Sequence, residues 1–248
     1  MTEHKVALIT GASHGIGAAT ARVLAAKGMR IVVNYINDTS SAEEVVQSIR
    51  EVGSEAIAIQ ADVRNREQVE RMVTEAQRTF GSIDALVSNA AMSFVQKPIR
   101  EITWEEFSQK LNDDMQAAFN VTAAVTPFMS KNGYGRIVYV STGLAKHPQL
   151  GFAIHGTAKA AITQFARYVA QEFGPAGITA NVIAPGFVTT ERTTRQPQAL
   201  RDRLLANTPL GHLATAEDIA NTIAAYVSEE TRFVTGSYIP VDGGMFMD

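Results

Sequence analysis

The sequence contains no cysteine, which excludes disulfide bonds, thiolate metal ligands and cysteine nucleophiles. It also lacks any apolar run near the ~20 residues that a membrane span requires. Only a few polar residues precede the first apolar run at residues 6–9, which leaves no room for a secretory leader. The formal net charge is only −3, so no overall field attracts nucleic acid or an anionic membrane. We therefore expect a cytoplasmic protein without nucleic-acid or membrane partners.

Metal-binding patterns are missing as well. His147 and His212 have no carboxylate or histidine neighbour at the spacing typical of metal ligands, so we expect no metal site. The sequence does contain 46% hydrophobic residues, which is enough apolar material for a sizeable core. No internal repeat, low-complexity tract or linker divides it, and residues 1–248 are predicted to form a single domain.

Short β-branched runs alternate with longer segments whose apolar residues recur every three or four positions. The predicted strands are residues 6–9, 31–33, 56–59, 85–87, 137–140, 179–183 and 238–241. The predicted helices include residues 18–26, 45–52, 69–80, 107–129, 158–173 and 219–227. Continuous apolar strands separated by helices are typical of a parallel sheet covered on both faces. The sequence therefore predicts an α/β fold with a doubly wound parallel sheet.

Three segments place a hydroxyl group three residues before a carboxylate, the arrangement that caps helix starts. They begin at Ser41, Thr103 and Thr215. Each of these three residues is predicted to lie immediately before the first residue of a helix.

The first predicted strand leads into residues 10–17, which contain three glycines and open directly into a helix. Glycines let the backbone turn tightly and approach a pyrophosphate, while the helix start supplies N–H groups and the positive end of a dipole. A strand, a glycine-rich turn and a helix in this order, at the start of an α/β pattern, predict a dinucleotide-binding site.

The glycine spacing is G-x-x-x-G-x-G, and four further motifs follow it in order. They are Asp62-Val63, Ser88-Asn89-Ala90-Ala91, Pro185-Gly186-Phe187-Val188-Thr189-Thr190 and Asp242-Gly243-Gly244. Together these motifs resemble the short-chain dehydrogenase/reductase family over essentially the whole chain, and especially its 3-oxoacyl-acyl-carrier-protein reductase branch. The resemblance implies a Rossmann-type fold, a nicotinamide cofactor and an oxidoreductase activity.

The resemblance also implies which residues would surround the cofactor. Asp62 and Val63 would flank the adenine, Asn89 would shape the pocket, and residues 185–190 would run along the nicotinamide. Together with the turn, the predicted cofactor-binding residues are Gly11, Ser13, His14, Gly15, Ile16, Gly17, Asn34, Asp62, Val63, Asn89, Lys159, Pro185, Gly186, Val188 and Thr190.

The end of the second strand bears on the choice of cofactor. Selection of NAD usually depends on a carboxylate there, which binds the ribose hydroxyls and repels a 2′-phosphate. Here the strand ends in Asn34 and Tyr35, and His14 lies where NADP-preferring relatives often have a basic residue. We predict that NADP(H) is preferred and that NAD(H) is possible. Asp38 is the opposing feature, since an inward carboxylate would reverse the preference.

The catalytic set departs from the pattern of the family, in which Asn, Ser, Tyr and Lys act together. The tyrosine position holds His155, whereas the lysine is retained as Lys159. The serine position falls on Thr142 and the asparagine position on Asp114. The predicted catalytic residues are therefore His155, Lys159, Thr142 and Asp114. Since His155 and Lys159 are four residues apart on a predicted helix, both can face the cleft.

Histidine at this position changes the proton chemistry. An imidazole carries protons near neutral pH, but its nitrogen stands roughly 2 Å closer to the backbone than a phenol oxygen, so the substrate must sit deeper or a water must bridge. The Lys159 charge stabilises a tyrosinate but disfavours an imidazolium. Asp114 offsets that charge if it reaches Lys159. Alternatively, Asp114 is an exposed helix carboxylate beside Asp113, and His155 only fills a vacated site.

The predicted reaction is hydride transfer between NADP(H) and a ketone or 3-oxoacyl group, with His155 as the proton donor. Two alternatives remain open. One is a catalytically silent nucleotide-binding subunit that pairs with an active reductase, and the other is an enzyme that uses the cleft for dehydration or proton shuttling. Phe94, Phe152 and Phe187 are expected to border the cleft, which suits a small apolar substrate or an acyl thioester.

The resemblance further implies a lid and an assembly. Residues 187–212 correspond to a mobile substrate lid. Its arginines, which either attract an acidic substrate or form a solvated helix face, are Arg192, Arg195, Arg201 and Arg203. Two long helices near residues 104–129 and 151–173, with the carboxyl-terminal strand, imply a homotetramer. A heteromer with a tyrosine-bearing relative is equally compatible with the sequence.

Overall fold

The computed structural model describes residues 5–191 and 193–247. Within these residues, seven strands form one sheet in which every neighbouring pair is parallel. They are β1 (Val6–Ile9), β2 (Arg30–Tyr35), β3 (Ala56–Gln60), β4 (Ala85–Ser88), β5 (Gly135–Val140), β6 (Ile178–Pro185) and β9 (Tyr238–Val241), while β7 (Val188–Thr189) and β8 (Ala214–Thr215) form a separate pair. The predicted doubly wound parallel sheet is confirmed, and each predicted strand lies in it.

Seven α-helices connect the strands in the described part of the chain. They are α1 (Gly15–Ala26), α2 (Thr39–Glu51), α3 (Arg66–Phe80), α4 (Trp104–Asn132), α5 (Ala153–Phe173), α6 (Gln198–Ala206) and α7 (Ala216–Tyr226). Six of them correspond to the predicted helices. Helix α6 was not predicted, because none of its residues is buried and no strong apolar stripe marks it. None of the described helices is long and apolar enough to cross a membrane.

Side chains of neighbouring strand residues point to opposite faces of the sheet, so each central strand contributes to two cores. Leu8 and Leu86 belong to the core formed with α3, α4 and α5. Ile9 and Val87, the next residues on the same strands, belong to the core formed with α1, α2 and α7. Both faces are therefore covered, which explains why the strands read as continuous apolar runs.

The strand order is β3-β2-β1-β4-β5-β6-β9, so the direction of winding reverses between β1 and β4. In an open parallel sheet, the loops on either side of such a reversal diverge and leave a crevice at the carboxyl ends of the strands. The glycine turn follows β1, and the other predicted motifs follow β3, β4, β5 and β6. The topology therefore gathers the predicted site residues along one edge of the sheet.

Two of the three predicted helix caps are confirmed, since Thr103 caps α4 and Thr215 caps α7. The prediction for Ser41 is wrong, because α2 begins at Thr39 and its cap is Asp38. The Asp38 carboxylate accepts hydrogen bonds from the Ser41 backbone N–H at 3.0 Å and from the Ser41 hydroxyl at 2.9 Å. An ionised acceptor binds such donors more strongly than a hydroxyl does, so the carboxylate takes the capping position.

Candidate active site

The turn after β1 has the backbone geometry that a pyrophosphate requires. Gly11 and Gly15 have φ values of 61° and 52°, a region that favours glycine. A Cβ atom on Gly17 would lie 2.3 Å from the Gly11 carbonyl oxygen and 2.7 Å from the Asn89 amide nitrogen. All three glycines are thus required by conformation or by close packing. Helix α1 starts within this turn, so its first N–H groups lie at the turn.

Two asparagines hold this turn in place. Asn34 is 2% exposed; its amide oxygen accepts a hydrogen bond from the Gly11 N–H, and its amide nitrogen donates to the Ala61 carbonyl at 3.0 Å. Asn89 donates to the carbonyls of Thr10 and Gly11, each at 3.0 Å. Both predicted cofactor-binding asparagines therefore contact the turn itself. They can act on a cofactor by fixing the position of that backbone.

The predicted residues after β6 reach the same turn. The Thr190 methyl carbon lies 3.6 Å from the Cβ position of Gly15, and Val188 is buried in β7. Ile16 packs against the core beneath α1. The glycine turn, the start of α1 and residues 188–190 thus form a single cradle, and this arrangement fits a dinucleotide pyrophosphate.

Ser13 and His14 connect the turn to α2. His14 Nδ1 lies 3.0 Å from the Ser13 hydroxyl oxygen, and His14 Nε2 lies 3.2 Å from the Asp38 carboxylate. The hydrogen bond from the Ser41 backbone N–H is the main cause that lowers the pKa of Asp38. The Asp38 carboxylate therefore stays ionised, is 45% exposed, and is held by Ser41 and His14.

Asp62 and Val63, the predicted neighbours of the adenine, are both fixed by contacts within the protein. The Arg64 guanidinium lies 2.7 Å from the Asp62 carboxylate and also reaches Asp113 at 3.3 Å. Its side-chain hydrogen bonds are the main cause that lowers the pKa of Asp62. Val63 is 4% exposed, and its carbonyl accepts a hydrogen bond from the Asn120 amide at 3.1 Å. This segment is therefore tied to α4.

A cavity of about 740 Å³ opens at the carboxyl ends of β5 and β6. It brings together the predicted residues Thr142, Pro185 and Gly186, and all three phenylalanines expected at the cleft line it. Its further apolar lining includes Leu144, Leu150, Leu200, Leu204, Met245 and Phe246. Such a wall suits a ligand with an apolar body.

His155 lies in the first turn of α5 and is half-buried. Its imidazole stacks on the ring of Phe94, with centroids 4.4 Å apart and planes inclined by 6°. Phe94 lines the cavity, whereas His155 is not among the described residues that line it, so the imidazole lies behind the Phe94 ring. The His155 Nδ1 nitrogen is buried.

Lys159, one turn further along α5, is 4% exposed. Its ammonium donates to the Val140 carbonyl at 3.0 Å and lies 4.0 Å from Asp114 Oδ2. Asp114 is 2% exposed, so the alternative of an exposed helix carboxylate is wrong. Its other oxygen lies 2.8 Å from Lys110 Nζ. Burial lowers the pKa of Lys159 to about 8; Asp114 opposes this effect, whereas Lys110 adds to it.

Sequence reasoning missed Lys110, which is 3% exposed and belongs to this buried cluster. The signal was present, since Lys110 precedes Asp114 by four positions on one helix, the spacing of a helical ion pair. It also missed Tyr238, whose hydroxyl donates to the Thr142 carbonyl at 2.9 Å. That contact joins β9 to the end of β5, and no local pattern could have indicated it.

Tyr139 lies on β5 near this cluster, but its hydroxyl is bound within the core. It is fully buried, and its hydroxyl lies 2.7 Å from the Thr122 hydroxyl. Burial raises its pKa well above the usual range. Tyr139 is therefore a core residue.

Residues 187–212, the predicted lid, include β7 and α6. Leu200, Arg203 and Leu204 of α6 line the cavity, so this segment forms part of its wall and brings one guanidinium to it. Arg192, one of the four arginines noted in this segment, lies outside the described residues. In residues 5–191 and 193–247, no group of three or more histidine or acidic side chains is placed to hold a metal ion.

The cradle formed by the glycine turn lies at the switch point of a doubly wound sheet, with a cavity at the carboxyl ends of the strands. Rossmann-type α/β proteins share this placement, and the chain falls in that class.

Comparisons with known proteins give the family. A family model described as enoyl-(acyl carrier protein) reductase matches residues 11–246. The 3-oxoacyl-[acyl-carrier-protein] reductase FabG of Staphylococcus epidermidis is 34% identical over 244 residues, which cover 98% of this chain and 100% of that protein. The 3-oxoacyl-[acyl-carrier-protein] reductase of Synechocystis sp. is 36% identical over 244 residues (98% and 97%), and FabG of Escherichia coli is 33% identical over 246 residues (99% and 98%). The chain therefore belongs to the short-chain dehydrogenase/reductase family of oxidoreductases, in its FabG-like branch.

Proposed function

We propose that this protein is an NADP(H)-dependent reductase of a ketone or 3-oxoacyl group, in which His155 replaces the usual tyrosine as proton donor. The observation that carries the proposal is the position of Lys159. Its ammonium is held at the Val140 carbonyl, two residues before Thr142 in the cavity wall. The retained lysine, the cavity hydroxyl and the imidazole thus lie around the end of β5 and the start of α5.

The cofactor would lie along the carboxyl edge of the sheet. The glycine turn and the start of α1 would hold the pyrophosphate, the Asp62-Val63 segment would border the adenine, and Lys159 would hold the nicotinamide ribose. Residues 185–190 would run along the nicotinamide. When bound, the cofactor supplies the hydride.

The preference for NADP(H) rests on the residues near the adenosine ribose. The last two residues of β2, Asn34 and Tyr35, carry no carboxylate, and Asn34 is buried beneath the glycine turn. Asp38 accepts hydrogen bonds from Ser41, and the His14 imidazole lies 3.2 Å from its carboxylate. The end of β2 itself lacks the carboxylate that would repel the additional phosphate of NADP(H).

The side chains divide the proton chemistry between them. Thr142 Oγ1 accepts a hydrogen bond from the Leu144 N–H at 3.4 Å, so its own hydrogen can be donated to a substrate carbonyl oxygen. The His155 imidazole would donate a proton to that oxygen. Asp114, 4.0 Å from the Lys159 ammonium, offsets the positive charge that disfavours a protonated imidazole.

A homotetramer with a lid formed by residues 187–212 completes the proposal. The two long helices expose aromatic side chains, with Phe119 52% and Phe128 38% exposed on α4 and Tyr168 67% exposed on α5. Such side chains favour burial against a second copy of the chain. Light scattering after size-exclusion chromatography measures the mass, and a monomer in solution would contradict this part of the proposal.

This proposal can be tested by measuring the decrease in NADPH absorbance in the presence of a panel of ketones and 3-oxoacyl thioesters. The variants are His155→Ala, His155→Tyr and, as a control, Lys131→Met, which removes an exposed charge at the end of α4. We expect turnover by the native protein and by the control, and a loss of about 10²–10⁴-fold in His155→Ala, the usual contribution of a general acid.

Two results would contradict the proposal. Tight NADPH binding without turnover, together with a gain of reductase activity in His155→Tyr, would establish a silent subunit. Dehydration of a 3-hydroxyacyl thioester without NADPH consumption would establish a repurposed cleft. Fluorescence titration with NADPH and NADH tests the cofactor separately, and tighter binding of NADH would reverse that assignment.

A further inference from the structure

The Lys110 ammonium is a buried charge that has no role in the proposed reaction. Lys110 lies on α4 with its side chain 2% exposed, and its ammonium is 2.8 Å from Asp114. A buried ion pair contributes little net stability, because removing two charges from water costs about as much as their attraction returns. Net stability therefore does not explain why a lysine rather than an apolar side chain occupies this position.

The Lys110–Asp114 pair binds both main-chain groups of a single loop residue. Lys110 Nζ donates to the Met92 carbonyl, and the Met92 N–H donates to Asp114 Oδ1 at 3.3 Å. Residues 89–98, which include Met92, have no helix or strand structure. Backbone groups in such a segment have no ladder partners, so these two contacts fix its path.

The same loop carries the ring on which the imidazole rests. Phe94 lies two residues after Met92, and its ring centroid is 5.6 Å from Lys110 Nζ. The ring stacks on His155 at 4.4 Å and also lines the cavity. A continuous set of contacts therefore runs from Lys110 through the Met92 backbone and the Phe94 ring to the His155 imidazole.

We propose that Lys110 is a positioning residue, which with Asp114 clamps the Met92 backbone and thereby holds Phe94 as the platform that orients the His155 imidazole at the cavity. The proposal rests on the proposed function for its catalytic consequence, but the orientation itself is a property of the folded protein. Lys110 touches no reacting atom in this arrangement. It acts through the loop.

The test replaces Lys110 by methionine, which keeps an unbranched side chain of similar length and removes the charge. Lys131→Met is the matched control, because it removes an exposed lysine from the same helix. Proton NMR measures the His155 ring signal, assigned by its loss in His155→Gln. A proton over an aromatic face is shifted upfield, so this signal reports the stack on Phe94 in the folded protein.

In Lys110→Met we expect the His155 signal to move downfield and kcat for 3-oxoacyl thioester reduction to fall by roughly 10–100-fold, as expected for a catalytic group displaced by about 1 Å. KM for NADPH should stay within about twofold of the native value, since the pyrophosphate cradle is untouched. Lys131→Met should match the native protein in all three measurements. An unchanged His155 signal in folded Lys110→Met would overturn the proposal.

If Lys110→Met does not fold, the double variant Lys110→Met with Asp114→Asn removes both charges and leaves no unpaired carboxylate. We expect the same downfield movement in that variant, and its absence would again overturn the proposal. If the native protein has no reductase activity, the proposed function fails while the NMR comparison still decides the role of Lys110.

Discussion

Replacing Lys159 by methionine should change how the stability of the protein depends on pH. The pKa of Lys159 is about 8 in the folded protein, against an ordinary value of 10.5. Between these two values the unfolded chain binds more protons than the folded one, so stability rises with pH across this window. The cause is the buried position of the ammonium, which Asp114 compensates only in part at 4.0 Å.

The size of the effect follows from the two pKa values. Their difference corresponds to about 3 kcal/mol of unfolding free energy, which is lost below the folded pKa and recovered above the unfolded one. Raising the pH from about 7 to about 9.5 covers most of that interval and should recover about 2 kcal/mol. Lys159→Met has no group that titrates there, so its pH dependence should lack this contribution.

Urea unfolding followed by circular dichroism measures both proteins at the two pH values and at one protein concentration. Lys131→Met serves as the control, because it removes an exposed lysine and should keep the native pH dependence. Equal pH dependence in the native protein and in Lys159→Met would refute the reasoning, since it would mean that Lys159 is not held in a buried, charge-destabilising site.

Two further predictions concern the glycine turn. Gly17→Ala should weaken NADPH binding at least tenfold in a fluorescence titration, because the new methyl group would lie 2.3 Å from the Gly11 carbonyl oxygen and force the turn to move; native affinity would show that the turn can give way. Asn34→Ala should lower the unfolding free energy by about 1–3 kcal/mol in urea, since it leaves the Gly11 N–H and the Ala61 carbonyl without this side-chain partner. A smaller loss would mean that water replaces the amide.

Much of the fold follows from local sequence patterns. The strands are continuous apolar runs, the helices carry apolar stripes, and both patterns arise because each element must bury a face. Helix α6 was not predicted because none of its residues is buried. The start of α2 was misplaced because two neighbouring residues, Asp38 and Ser41, can both cap a helix, and only the observed hydrogen bonds distinguish them.

The candidate site, like the fold, could be predicted from the sequence only in part. The glycines and the predicted catalytic residues at positions 114, 142, 155 and 159 were identified by their order and spacing along the chain. The contacts of those residues could not be predicted, since they join segments that are far apart along the chain. Tyr238 reaches Thr142 from another strand, and Met92 meets Lys110 only because the loop after β4 folds over α4.

The sequence by itself determined the alternation of strands and helices, the glycine-rich turn and the histidine four residues before Lys159, because these depend on residue type and spacing alone. Only the tertiary structure decided that Asp114 is buried between two ammonium groups and that the His155 ring rests on Phe94. Burial and long-range contact are set by the packing of α4, α5 and the loop after β4 at one edge of the sheet. Short-range patterns carry no information about that packing.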